Sequence, residues 1–157
     1  MKQKVFSRRD RFFVKDENGN DRYAVEGEIA IGKRLHIYDA DGNKSAFIRQ
    51  KVMSWLPRYF VYINGQEVCT VVKEFTLFRQ SYRVEGLSWH LTGNFLTHEY
   101  ILAENGRQIM NLSKKWFTLG DSYELNITDP KNELLCLCVT LVVDCALAGL
   151  NTSFAGS

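Results

Sequence analysis

Apolar and polar positions alternate in short runs along the first 130 residues. Tyr123-Glu-Leu-Asn-Ile127 is the clearest case. A period of two puts alternate side chains on opposite faces of a pleated strand, one face buried and one wet. Further runs rich in β-branched and aromatic residues span Arg11–Val14, Leu35–Tyr38, Tyr59–Ile63, Val68–Val72, Tyr82–Val84 and His98–Leu102. Turn signals separate them: Asn18-Gly19, Asp41-Gly42, Asn64-Gly65, Gly93-Asn94 and Asn105-Gly106. Asn-Gly and Asp-Gly tolerate positive φ and so favour tight antiparallel connections. The pattern predicts an all-β meander of roughly ten to twelve strands.

The chain also repeats. A shift of 41 residues lays Tyr59, Asn64, Gly65, Lys73, Ser81 and Tyr82 on Tyr100, Asn105, Gly106, Lys114, Ser122 and Tyr123. A repeated β unit shares its core with its copies. The expected result is a closed antiparallel β-barrel, which also leaves no exposed edge.

After residue 128 the period changes. Asp129 suits an N-cap and Pro130 a first helical turn. Leu134–Ala148 is then apolar on every side, with Gly149 as the expected stop. A helix without a wet stripe belongs in a core or in a membrane. The apolar run is about 17 residues, at the short limit for a span, and Asp144 interrupts it. The sequence therefore predicts a central hydrophobic helix over about 130–148, threaded through the barrel, with Asp144 needing a partner from the wall. Residues 1–150 form one domain, and 151–157 read as a flexible tail.

Composition adds limits. Among 157 residues, 20 Lys and Arg face 18 Asp and Glu, a net charge of +2. That lacks the excess of a nucleic-acid binder, and no nucleic acid is expected as a partner. The amino-terminal stretch is charged throughout, without the apolar segment of a secretory signal. Cys69, Cys136, Cys138 and Cys145 are accordingly expected to be reduced packing residues of a cytoplasmic protein.

The segment Lys114-Lys-Trp-Phe-Thr-Leu-Gly-Asp-Ser-Tyr-Glu-Leu-Asn-Ile127, followed by Asp129 and the apolar helix, resembles the LURP-one-related family. Ile37-Tyr-Asp-Ala-Asp-Gly42 and Ile48-Arg-Gln-Lys-Val52 leading to Trp55 resemble it too. The resemblance implies the fold of the tubby C-terminal domain and of phospholipid scramblases, twelve strands around one central helix. For function it implies little beyond a link to phosphoinositides and membrane lipids through those distant relatives.

No catalytic constellation stands out. Cys136-x-Cys138 points about 200° apart on a helix, and metal ligands to complete a site are missing. Asp39-Ala-Asp41-Gly42-Asn43 opens like a calcium loop, but position twelve is Gln50, so a hairpin turn explains it better. His36, His90 and His98 all fall in expected strands, His36 and His90 on the outer wall. The sequence gives no grounds for an enzyme, a metal or a cofactor.

The basic residues carry the functional expectation. The first 15 residues hold Lys2, Lys4, Arg8, Arg9, Arg11 and Lys15 against Asp10, a local +5. With Lys33, Arg34, Arg58, Lys114 and Lys115 they form the candidate surface. Lys4, Arg8, Arg9, Arg11, Lys33, Arg34, Arg58, Lys114 and Lys115 are the expected ligand-binding residues. The expected role is a non-enzymatic binding or scaffold domain, peripheral at an anionic phospholipid or phosphoinositide surface. The alternatives are a small-molecule or hydrolytic site at the barrel mouth, or an adaptor for an unknown protein through exposed aromatics such as Trp55 and Trp116.

Overall fold

A computed structural model describes residues 2–8, 11–28, 30–74, 80–117 and 120–155, with side chains for 13–28, 30–74, 80–113 and 124–148. Among the described residues the protein is mainly antiparallel β with a single C-terminal α-helix. The strands are β1 (Lys2–Arg8), β2 (Arg11–Lys15), β3 (Asp21–Gly27), β4 (Arg34–Asp39), β5 (Lys44–Gln50) and β6 (Arg58–Ile63). They continue as β7 (Gln66–Glu74), β8 (Ser81–Glu85), β9 (Trp89–Asn94), β10 (Glu99–Glu104), β11 (Arg107–Phe117) and β12 (Gly120–Ile127). Consecutive strands pair in a meander, and β1 pairs with both β2 and β12.

The period-two expectation holds in β4, β5, β6 and β10, while β7 buries Cys69, Thr70, Val71 and Val72 in succession. Leu35 and Ile37, Ala46 and Ile48, Tyr59 and Val61, and Tyr100 and Leu102 all point into one core. His36 stacks outside on Phe47 at 4.8 Å, and His90 is exposed. The repeat is real in three dimensions. Tyr59 and Tyr100 occupy equivalent core positions, and their turns share one geometry: Asn64 and Asn105 have φ of 49° and 48°, Gly65 and Gly106 of 78° and 80°. The Asp39 carboxylate accepts the N–H groups of Asp41 at 3.0 Å and Asn43 at 2.8 Å, closing the expected hairpin turn.

One turn differs from the sequence reading. Gly93 and Asn94 end β9, and the connection falls at 95–98, which removes His98 from β10. Gly93 is needed inside the strand pair: a Cβ there would lie 2.5 Å from the Glu99 carbonyl oxygen. Its φ of 142° is also one that side chains disfavour. His98 takes φ 54° in the turn itself.

Asp129 caps the next element as expected, accepting the Lys131 N–H at 3.0 Å. A 3-10 turn over Pro130–Asn132 precedes the helix α1 (Glu133–Ala155). The helix thus begins three residues later than expected and its backbone continues beyond Gly149, over residues read as tail. A glycine does not end a helix whose following residues keep a helical backbone. Cys136 to Val143 are buried at every successive position, so all faces of the helix meet protein. Thr140, the polar exception, donates to the Cys136 carbonyl at 2.9 Å. Among the described residues no helix is long and apolar enough to cross a membrane.

Candidate functional site

Antiparallel strands sort their connections to two ends. The helix start marks one: buried Glu133 holds Arg22, the second residue of β3, at 2.8 Å. Connections at this end carry Asp16, Glu17, Asp41 and Asp129 against Lys131. The far end gathers connections 28–33, 51–57 and 95–98 among the described residues. There the last residue of β1 and the first residues of β2, β4 and β6 are all arginine: Arg8, Arg11, Arg34 and Arg58. Lys33 and Lys51 lie in the connections beside them, opposed by Glu28 and by the strand-terminal Glu74 and Glu99.

Topology therefore brings most of the expected basic residues to one end. Arg8 and Arg11 are register partners, and Lys114 and Lys115 lie in the second half of β11, which runs toward that end. Lys4 lies four residues before Arg8, opposite Lys15 of β2 and Glu124 of β12, within one register step of Lys114. Arg9 lies outside the described residues.

Of the expected basic residues, Arg34 and Arg58 are held by acids. Arg34 donates to Glu28 at 3.1 Å, and Glu28 also meets His36 at 2.8 Å. The hydrogen bond from His36 is the main reason the Glu28 carboxyl sits below its usual range. Arg58 donates to Glu85 at 2.8 Å, which Arg83 also reaches at 2.8 Å. Lys33 and Lys51 are exposed. Their backbone is fixed: Gln50 N–H donates to Lys33 O at 2.8 Å, Lys33 N–H to Gln50 Oε1 at 3.0 Å, and Lys51 N–H to Arg58 O at 2.8 Å. Lys51 was absent from the expected set. In the sequence it is a single lysine within the Ile48–Val52 segment that carries the family resemblance.

The same end holds the partner that Asp144 needed. His98 Nδ1 lies 3.4 Å from Asp144 Oδ1. Phe95, in the same connection as His98, packs on Tyr82 and Tyr100 at 4.9 and 5.1 Å, and all three rings are buried. The four cysteines are free, and burial raises the thiols of Cys69, Cys136 and Cys145 to about 12. Cys138 is pushed up further still, again by burial. These are packing thiols rather than nucleophiles. A separate recess of about 440 Å³ lies over β2–β4 toward the acidic end, lined by Asp21, Glu26 and Asp39 among others.

The fold class is thus an antiparallel β domain built around one apolar C-terminal helix. By sequence the chain belongs to the LURP-one-related family, whose pattern matches residues 1–144. It is 36% identical over 148 residues to YxjI of Bacillus subtilis (strain 168), described as an uncharacterised protein, covering 94% of this chain and 91% of that one. It is also similar to the X-ray structure of an Arabidopsis thaliana protein, with a TM-score of 0.64 at 14% identity, covering 91% of this chain and 89% of the other. That likeness concerns the fold.

Proposed function

We propose that this protein is a non-enzymatic binding domain with a closed, tubby-like barrel, working peripherally at anionic phospholipid or phosphoinositide surfaces. The pairing of β1 with both β2 and β12 supports the closed barrel. The observation that carries the lipid reading is the segregation of charge: arginines at four strand ends and two exposed lysines gather at one end, while the opposite connections are acidic. Each lysine near an anionic membrane contributes about 1 kcal/mol, and the attraction fades beyond a Debye length. Cosedimentation with neutral, anionic and phosphoinositide-doped vesicles at two salt concentrations tests it. Retention is expected on charged vesicles only, lost at high salt, and Lys33→Gln with Lys51→Gln should weaken it roughly 30-fold. Failure of anionic vesicles to retain the protein at low salt would sink the reading.

The His98–Asp144 pair favours a second reading, a small-molecule or hydrolytic site at the barrel mouth. A histidine oriented by a carboxylate is half of a general-base arrangement. Against it, Phe95, Tyr82 and Tyr100 are buried and packed on one another. Turnover of activated esters that disappears in His98→Ala would establish this reading; equal rates for both proteins would remove it.

A further inference from the structure

The described residues include six large hydrophobic side chains that are exposed, and their placement is uneven. Ile31, Val52, Met53, Trp55 and Leu96 lie in the three described connections at the basic end; Ile101 lies on β10. Trp55 is 100% exposed, Met53 97%, Ile31 80% and Leu96 77%. Among the described residues the acidic end exposes none. Single exposed apolar residues are ordinary, but their concentration on loop tips at one end is not.

These tips are held in place. Gly32 packs so closely on Val52 that a Cβ there would lie 3.0 Å from Val52 Cγ2, which ties the Ile31 and Met53 connections together. The Lys33–Gln50 and Lys51–Arg58 backbone bonds fix both bases. Lys73 N–H donates to Pro57 O at 3.0 Å and anchors the far side of the Trp55 connection. Met53 itself sits at φ 60°, an unfavourable conformation for its side-chain type.

Building on the lipid reading, we propose that this end is a bilayer-insertion surface. Ile31, Met53, Trp55 and Leu96 enter the boundary between headgroups and acyl chains of an anionic membrane. Lys33 and Lys51, two residues from Ile31 and Met53 respectively, hold headgroup phosphates. Charge complementarity selects this occupant: the apolar tips stand among cations, the pattern of interfacial anchors. Trp suits that depth because its ring is apolar and its N–H stays hydrated. The β3–β4 and β5–β6 tips are neighbours joined through Gly32 and Val52, and the β9–β10 tip stands apart from them, with β7 and β8 between. A fluid surface receives separate points, whereas a peptide segment needs one continuous groove.

The test uses the full chain with vesicles of phosphatidylcholine and phosphatidylserine carrying brominated acyl chains. Bromine quenches indole fluorescence only at acyl depth. Wild-type emission is expected to be quenched on binding, with the quenched component absent from Trp55→Phe. A Trp55→Ala, Met53→Ser protein keeps Lys33 and Lys51 and should partition roughly tenfold more weakly. Both side chains are solvent-exposed, so unchanged thermal melting is expected. Salt-reversible retention without Trp55 quenching, and equal partitioning by the double variant, would overturn insertion and leave the lipid reading standing. No retention of wild type on any vesicle would remove both. A concentration-dependent blue shift of Trp55 without vesicles would assign the surface to a second copy of the chain and overturn the proposal.

Discussion

At the scale of single residues, chemistry here is set by burial rather than by sequence neighbours. The cysteines illustrate it. Their thiols rise from 9.0 to about 12 at Cys69, Cys136 and Cys145 because the core disfavours the thiolate. The sign of the consequence follows. The folded pKa values exceed the unfolded ones, so the contribution is fully present below pH ~9, where thiols of the unfolded chain begin to ionise. It is lost progressively as pH rises toward 12. Stability is therefore expected to be flat with respect to these thiols from pH 7 to 8 and to fall from about pH 9, checked by thermal melting across that range. At pH 8 the native thiols should react with Ellman's reagent far more slowly than those of the urea-unfolded chain. The sequence supported reduced, packed cysteines. It did not place Cys69 of β7 near Cys138 of the helix, a proximity that adds to the burial-driven rise of the Cys138 thiol.

At the scale of elements, local rules worked where one face is wet and failed where packing intervenes. Asn-Gly turns fall where expected because positive φ is a local demand met by local residues. Gly93-Asn94 carries a similar signal and is not a turn, since its glycine answers a close approach by the next strand. The helix was legible because a run apolar on every side, interrupted only at Asp144 and short for a membrane span, belongs in a core. Its cost of disruption is correspondingly large. Leu137 is fully buried in α1, and Leu137→Ala should destabilise the protein by about 2–5 kcal/mol through lost transfer energy and a residual cavity. At 2–4 °C per kcal/mol for a chain of this size, Tm should drop by roughly 5–20 °C. Far-UV circular dichroism and buried-tryptophan fluorescence should report the same single transition, because helix and sheet share one core.

At the scale of the whole molecule, the candidate surface belongs to topology. A net charge of +2 is too small to drive membrane association by itself. What matters is that a meander returns every second connection to the same end. Acidic turns at Asp16 and Asp41 go one way, and the Arg8–Arg11, Lys33–Arg34 and Lys51–Arg58 neighbourhoods go the other. This is why the expected salt dependence is steep for one end of a nearly neutral protein. Alternation, turn residues and the apolar run at 134–148 were sufficient, by themselves, to determine an antiparallel β domain with a buried C-terminal helix, since period and burial are properties of short segments. Which charges share an end, that Ile31, Met53, Trp55 and Leu96 stand together at it, and that His98 meets Asp144 were decided only by the tertiary structure. Those relations join residues far apart in sequence, and strand direction and register alone bring them together.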